Sequence, residues 1–215
     1  RNTLRFNRNY GSSPLVTNTS TLLNSGLRPE RQNSLEVGGE IWFFNNRLML
    51  DVAAYQTRNT DQIVRLPSSA ASGYADRVEN GGVVRTRGLE AMLQFTPIKK
   101  DNFSWTTSAN FTSSRAVVEE LPQGVDQYVI GYTRIYTGGD NSVFYIVKEG
   151  GRVGDLYGTG IKQYQGRDVY DQNGIPVRDG ELQLLGNYNP DFIIGFNNQF
   201  RFGPLTFGFL VDWRQ

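Results

Sequence analysis

Residues 35–55 alternate between apolar and polar side chains on both sides of a short Asn-Asn interruption. Successive side chains of a β-strand point to opposite faces, so this pattern predicts two strands that share one apolar face and are joined by a tight turn at Asn45-Asn46. The apolar series is Leu35, Val37, Gly39, Ile41 and Phe43 before the turn, and Leu48, Leu50, Val52 and Ala54 after it.

The same alternation returns in four later segments, and no helical period competes with it there. Together with the first hairpin it predicts six strands and no helix, which makes the chain all-β. The predicted strands cover residues 35–44, 47–57, 87–96, 103–112, 191–201 and 205–214.

The connections between these strands differ in length in a regular way. Asn45-Asn46, the turn Pro97 to Asn102 and residues 202–204 are short, whereas 58–86 and 113–190 are long. If the strands run up and down, all the short turns lie at one end and all the long loops at the other. Short turns opposite long loops are typical of outer-membrane barrels. We therefore predict an antiparallel up-and-down transmembrane β-barrel section, with 1–34 as an extracellular loop segment and 35–215 as strands and loops.

In this arrangement the apolar faces of the strands meet lipid, and the polar faces meet a water-filled lumen. Glu36, Glu40 and Asp51 lie on the polar face, where water removes the need of a carboxylate for a buried partner. The alternative is a soluble carbohydrate-binding β-sandwich, in which the apolar faces pack against one another. Aromatic girdles at the lipid headgroups favour the barrel; the rings concerned are Phe95, Phe103, Trp105, Phe200, Phe202 and Phe207 near the short turns, and Trp213 at the opposite end.

Composition narrows the class of protein further. The chain has 215 residues, a net charge of +1 and a mean hydropathy of -0.45, values that a barrel allows because only alternate residues meet lipid. The balanced charge gives no case for a nucleic-acid partner. The sequence has no Cys and no His, which excludes disulfides, thiolate nucleophiles and His-based triads. Six strands enclose no transport lumen, so we expect a section of a larger barrel.

The long segment 113–190 holds the residues most suited to binding a small molecule. It is rich in Tyr and Asp, and aromatic faces together with convergent polar groups suit sugar recognition. The alternative is that the Tyr rings hold the loop together or contact a partner protein. The candidates for substrate contact are Tyr157, Tyr164, Tyr170, Asp155 and Asp171.

Two other chemistries find little support in the sequence. Residues 168–181 contain oxygen ligands for calcium, but the spacing of an EF-hand fails and a turn explains Asp171 to Gly174 more simply. Glu119 and Glu120 are adjacent, so their side chains diverge, whereas a glycosidase needs two carboxylates across a cleft. The sequence predicts no catalytic residue, no metal and no cofactor, and hence no enzyme.

Residues 26–63 resemble the SusC/RagA family of TonB-dependent outer-membrane transporters from Bacteroidetes. Gly88 and Glu90 match the Gly-x-Glu of the family's next element, although Arg87 replaces the usual Asn. The stretches EGGRVGDLYG and NPDFIIGFNNQFRFGPLTF resemble its long-loop motif and following hairpin. The matching residues in 26–63 are Leu27, Pro29, Glu30, Glu36, Gly38, Phe43, Phe44, Arg47, Leu48, Tyr55, Thr60 and Asp61.

The resemblance implies a plug domain inside a barrel of about twenty-two strands, in the class of plugged outer-membrane transporters. It further implies uptake of oligosaccharides or peptides, a SusD-like surface lipoprotein as lid, and energy delivered by TonB through a plug and TonB box that lie outside this sequence. The expected location is the cell outer membrane, with lipid around the barrel.

Overall fold

The computed structural model describes residues 5–17, 19–134 and 142–215. Strands dominate it, with a turn of 3-10 helix at Ala70–Ser72. In the part of the chain that is described, no helix is long and apolar enough to cross a bilayer. The strands are β1 (Arg5–Tyr10), β2 (Ser13–Thr17), β3 (Thr21–Leu22), β4 (Arg31–Phe43), β5 (Leu48–Thr60), β6 (Ile63–Pro67), β7 (Asp76–Asn80), β8 (Val83–Lys99), β9 (Phe103–Glu120), β10 (Gln127–Arg134), β11 (Ser142–Lys148), β12 (Asp155–Ile161), β13 (Gln163–Tyr164), β14 (Arg167–Asp168), β15 (Arg178–Asn187), β16 (Ile193–Phe202) and β17 (Leu205–Arg214).

The main sheet contains six strands in the order β17-β16-β9-β8-β5-β4, and every pair in it is antiparallel. These are the six strands that the alternation predicts, so the antiparallel all-β architecture is confirmed. Several are longer than predicted, because β8 and β9 continue well past residues 87 and 112 toward the long loops. Among the described residues, β4 and β17 each pair on one side only.

Cross-strand register aligns the apolar positions in rows on one face, which we call the outward face. From the row that holds Val37 and Leu89 down to the row that holds Phe202, no position on this face carries a charge. Its two central rows are Ile41, Leu50, Leu93, Ala109, Phe196 and Val211, and Phe43, Leu48, Phe95, Thr107, Asn198 and Phe209.

The two polar side chains in these central rows have hydrogen-bond partners. The indole Nε1 of Trp105 donates to Asn198 Oδ1 at 3.2 Å, and the Thr107 hydroxyl donates to the carbonyl oxygen of Asn197 at 3.4 Å. Hydrocarbon offers no replacement partner for a polar group. The outward face is therefore compatible with lipid even where its sequence is not apolar.

The apolar side chains of the outward face are not buried in an interior. Leu89, Phe196 and Phe209 are 43%, 45% and 45% exposed, although a sandwich core would bury them against a second sheet. Exposed apolar surface on this scale marks an interaction surface. The exposure contradicts the soluble-sandwich alternative and agrees with a face that meets lipid.

Aromatic rings form two groups at opposite ends of the outward face. Near the short turns, Trp105 stacks on Phe200 with ring centroids 5.7 Å apart, and Phe103 lies 4.8 Å from Phe202. At the loop end Phe192 contacts both Phe111 and Trp213. Two aromatic belts around an apolar band are the arrangement of barrels in a bilayer.

The opposite face of the sheet, which we call the inward face, is polar. Tyr55 lies across Gly88, where a Cβ would come within 2.2 Å of its ring. The Tyr55 hydroxyl donates to Ser114 Oγ at 3.2 Å. Only glycine leaves room for the ring at this position, which gives a packing reason for the Gly-x-Glu element. The acidic residues of this face are Glu36, Glu40, Asp51, Glu90 and Asp212.

The three short turns lie where the sequence predicts them but differ in length. The first spans Phe44 to Arg47 instead of two residues, and Phe44, Asn45 and Asn46 all have positive φ. The second is shorter than predicted: β8 passes through Pro97 at a register shift between Phe95 and Ile98 and continues to Lys99. A bulge tolerates proline because no ladder hydrogen bond is required there.

The long loops are not structureless. Segment 58–86 contains β6 and β7, with β3 added in parallel to β7. Segment 113–190 carries a sheet of its own, β10-β11-β12-β15, and the hairpin β13-β14. The first residues also differ from a plain loop, because β1 pairs with β2 and β4 begins at Arg31.

We predict that Leu93→Arg destabilises the protein in lipid bilayers by about 2–4 kcal/mol, the cost of a cation at mid-depth on the lipid face of a barrel. Leu93 lies in a central row of the outward face. Urea unfolding in lipid vesicles measures the effect. The matched control is Met92→Arg, one residue away on the inward face beside Asp51, where we expect a change of less than about 1 kcal/mol. Equal losses for both variants would contradict the assignment of the faces.

Candidate functional site

The long segment 113–190 contacts the main sheet along the half of β9 that lies nearest the long loops. Val118 exchanges hydrogen bonds with residues 150 and 151, and the amide of Val153 donates to the carbonyl oxygen of Ala116 at 3.0 Å. This short segment thus occupies the place beside β9 that β16 occupies lower down. The loop sheet is therefore held in a fixed position above the end of the barrel strands.

Asp155 fixes this junction. It is 5% exposed, and its carboxylate accepts hydrogen bonds from the Arg152 amide at 2.8 Å and from Asn187 Nδ2 at 2.9 Å. Asn189 Nδ2 donates to the carbonyl oxygen of Val153 at 2.9 Å. A buried carboxylate needs such partners. The turn at 152–155 and the exit of the loop at 187–189 are consequently held together.

Tyr157 is also buried, two residues further along β12. Its ring is 7% exposed, and the Lys148 ammonium lies 5.3 Å from the ring centroid. A cation over an aromatic face is attracted by the ring quadrupole. In this structure Tyr157 packs within the loop sheet and presents little surface to a ligand.

A cavity of about 260 Å³ opens next to Asp155. The rings of Tyr145 and Tyr188 meet edge to face in its wall, with centroids 6.0 Å apart. Aromatic walls with a few polar groups are typical of ligand sites, and this volume lies just below their usual range. The lining residues are Ile130, Gly131, Tyr145, Ile146, Gly154, Asp155 and Tyr188.

A second cavity of about 500 Å³ lies between the two long loops. It is bounded by Leu66 and Arg77 on one side and by residues 124–129 on the other. Burial raises the pKa of the Tyr128 phenol. The hydroxyl, which is protonated at neutral pH even without this shift, therefore remains a hydrogen-bond donor.

Tyr164, Tyr170 and Asp171 lie away from these cavity walls, the first on the hairpin β13-β14 and the other two in the turn after it. Tyr164 is 70% exposed and Tyr170 is 55% exposed. Tyr164 pairs with Arg167 in this hairpin, whereas Tyr170 lies beyond it and is bridged to Pro176. The two rings therefore belong to different turns of the loop.

Asp171 caps the turn that follows the hairpin, which the Tyr170–Pro176 bridge closes. Its carboxylate accepts hydrogen bonds from the Ile175 amide at 2.9 Å and the Asn173 amide at 2.8 Å, and these hold the pKa of the carboxyl below its usual range. The turn needs no calcium. Within the described ranges, no cluster of three acidic side chains is placed to hold a metal ion. Tyr136, another tyrosine of the loop, lies outside the described residues.

Glu119 and Glu120 are engaged in ion pairs. Arg58 Nε lies 2.9 Å from Glu119 Oε2, Arg85 Nη1 lies 3.0 Å from Glu119 Oε1, and Arg58 also reaches Glu120. Both carboxylates lie at the loop end of the sheet and pair with guanidinium groups. Their role is therefore structural.

Three residues of the junction are absent from the sequence-based candidates: Arg152, Asn187 and Asn189. The first pairs with Asp191 at 2.7 Å. Asn187 bonds to a residue 32 positions away in the chain. The sequence carries a local signal only in the turn residues around 187–190, and nothing in it shows that this turn meets residues 152–155.

Comparison with known proteins places the chain among large transport receptors. The family model described as "TonB dependent receptor-like, beta-barrel" matches residues 3–178. The chain is 26% identical over 200 residues to TonB-dependent receptor P3 of Formosa agariphila, covering 83% of this chain and 20% of the relative. It is 22% identical over 189 residues to TonB-dependent receptor SusC of Bacteroides thetaiotaomicron, covering 83% of this chain and 17% of that protein.

Solved structures agree on the fold. The chain superposes on the structure of the RagAB peptide transporter with a TM-score of 0.77 and 18% sequence identity, covering 99% of this chain and 24% of that one. A structure of the RagAB peptide importer in an open-open state gives a TM-score of 0.72. The chain spans about a fifth of the length of the curated relatives it matches.

We predict that Asp155→Ala opens the junction between the loop and the sheet. Removal of the carboxylate leaves the Arg152 amide and Asn187 Nδ2 without their acceptor, at a cost of about 1–3 kcal/mol. Hydrogen exchange followed by mass spectrometry should show at least about tenfold faster exchange at 150–155 and 187–189, since 1.4 kcal/mol is a factor of ten. Asp168→Ala, which removes an exposed carboxylate hydrogen-bonded to Gln163, should leave these segments unchanged. Unaltered exchange in Asp155→Ala would show that the carboxylate does not hold the junction.

Proposed function

The chain belongs to the family of TonB-dependent receptor β-barrels, within its SusC/RagA branch, and from this membership we propose that it forms part of an outer-membrane transporter. In this proposal the complete protein takes up an oligosaccharide or a peptide, and TonB supplies the energy. The protein does no chemistry on its cargo. In the same proposal, segment 1–34, which includes the first residues of β4, lies on the extracellular side.

One observation carries the proposal. The outward face has no charged position between its two aromatic groups, while the inward face of the same strands carries five carboxylates and many hydroxyl and amide side chains. A strand in a bilayer barrel must present lipid-compatible and water-compatible side chains alternately. A soluble binding module has no reason to expose an uncharged apolar band on one side.

The loop cavity supports a cargo of oligosaccharides or peptides. Tyr145 and Tyr188 offer ring faces beside the carboxylate of Asp155. Sugar rings and the side chains of peptides both pack on aromatic surfaces, and their hydroxyl or amide groups need nearby polar partners. The RagAB structures are of a peptide transporter, which supports the peptide option. SusC among the relatives is the reason to keep oligosaccharides beside it.

The other candidate residues fall into two groups, those that support the structure of the loop and those that are exposed for contact with another molecule. We propose that Asp155, Tyr157 and Asp171 shape the loop through the contacts described above. Tyr164 and Tyr170 are the exposed members. Their exposed rings are available to the cargo and to a SusD-like lipoprotein that closes over the loops as a lid.

We expect uptake to require TonB and the loop cavity. Cells that express the complete transporter are given fluorescently labelled oligosaccharides and, separately, labelled peptides of mixed sequence. One of the two classes should accumulate in cells with TonB and fail to accumulate without it. Tyr188→Ala should lower the apparent affinity for that class roughly three- to tenfold, because an aromatic contact is worth about 0.5–1.5 kcal/mol beyond its buried area.

Tyr74→Ala, which removes a tyrosine from the other long loop, is the matched control and should leave the affinity unchanged. Accumulation of either probe at the same rate without TonB would contradict the transport mechanism. If Tyr188→Ala leaves the affinity unchanged, the proposal of a transporter stands and only the proposed role of the cavity is overturned.

A further inference from the structure

Four arginines lie together at the loop end of the outward face. Arg58 belongs to β5, Arg85 and Arg87 to β8, and Arg115 to β9. Register places Arg58 opposite Arg85, and Arg87 opposite Arg115 one step closer to the apolar band. We call these four residues the arginine patch. It stands directly beyond the row of Leu89, on the same face as the lipid-facing side chains.

The two arginines further from the band are neutralised within the protein. Glu119 accepts from Arg58 and Arg85 at 2.9 and 3.0 Å, and Glu120 lies 3.4 Å from Arg58. Arg152 is close by along β9, and Asp191 neutralises it at 2.7 Å. These pairs need no further anion.

The two arginines nearer the band lack such partners. Among the residues that the structure describes, no carboxylate lies within 4.0 Å of Arg87 or Arg115. Arg87 Nε donates to Gln56 Oε1 at 2.7 Å, which orients the guanidinium without neutralising it. Like charges directly opposite each other on a sheet are destabilising, so this pair calls for an anion from outside the chain.

We propose that Arg87 and Arg115 bind the phosphate of an anionic lipid headgroup in the leaflet at the loop end. This inference rests on the proposed function, which makes that leaflet the outer leaflet of the outer membrane. Guanidinium groups bind phosphate through paired, charge-assisted hydrogen bonds. The acyl chains of the same lipid would lie along Val37 and Leu89, immediately below the arginines on the same face.

Continuity with the apolar band favours a lipid over a free anion. The loop-end aromatic group, Phe111, Phe192 and Trp213, marks the level of the membrane interface. Arg115 lies four residues beyond Phe111 on β9, at about 3.3 Å per residue along a tilted strand. The headgroup layer extends about 5–8 Å beyond the hydrocarbon on each side, and a long arginine side chain can reach it from this position.

The test uses the complete transporter in detergent and native mass spectrometry. The protein is mixed with equal amounts of phosphorylated lipid A and the same lipid after enzymatic removal of its phosphates. The wild type should retain the phosphorylated form about tenfold more than the other. Arg87→Gln/Arg115→Gln should lower this preference to about twofold or less. The control Arg65→Gln/Arg167→Gln removes two arginines from the loops and the same total charge, and it should keep the tenfold preference.

With the two lipids alone, three results would overturn the proposal: a wild type without preference, an unchanged preference in Arg87→Gln/Arg115→Gln, or the same loss in the control variant. Inorganic phosphate in tenfold excess over lipid provides the arm for a soluble ligand. We expect the preference to persist, because the acyl chains of the lipid add apolar contacts that free phosphate lacks. Loss of the preference would show that the phosphate group alone supplies the binding, as for a free anion, and the lipid assignment would be wrong. Heat-dependent migration on gels confirms that each variant has formed its barrel before lipid is added.

A separate measurement distinguishes this inference from the proposed function. Membrane fractionation and TonB-dependent uptake are followed in the same variants. If the protein is found in the outer membrane and uptake is normal, but no lipid preference is seen, only the proposal of a lipid site is overturned. Absence of the protein from the outer membrane would overturn the transporter assignment and the lipid site with it.

Discussion

The structure depends on one constraint: a chain in hydrocarbon must satisfy its backbone N–H and C=O groups internally, since no water is available there. Six neighbouring strands do this with antiparallel ladders that run almost without interruption from one aromatic group to the other. Once the backbone is committed to strands, side chains alternate between the faces. Lipid then selects one face and the water of the lumen selects the other, which explains how carboxylates such as Glu40 and Asp51 lie one residue from bare apolar positions.

The strands of the main sheet could be predicted from the sequence because this alternation is local. Prediction from the sequence fails where the alternation stops but the strand continues. Beyond Leu89 the outward positions of β8 become Arg87 and Arg85, so hydrophobicity no longer marks a strand that begins at Val83. The strands of the loop sheet could not be predicted for a different reason. Its ladders shift register near Val129, Leu156 and Thr159, and each shift interrupts the period-two pattern from which strands are predicted.

The candidate site could be located from the sequence only as a loop. The Tyr and Asp residues of 113–190 do form its sheet, cavity and hairpin, yet their individual surroundings depend on distant contacts. Asp155 is buried because Asn187 folds back onto it from 32 residues away. Tyr157 is covered by Lys148 of the neighbouring strand. The arginine patch is likewise formed by three strands, and its members are scattered between residues 58 and 115.

The central claim, that one face of the main sheet meets hydrocarbon, is tested most directly by spin labels along β8. Residues 89–95 are replaced one at a time by Cys, a residue that this chain lacks, and labelled in the complete protein in bilayers. Labels at 89, 91, 93 and 95 should collide with dissolved oxygen, and labels at 90, 92 and 94 with a water-soluble nickel complex. A uniform profile, or one with the two sets exchanged, would contradict the account.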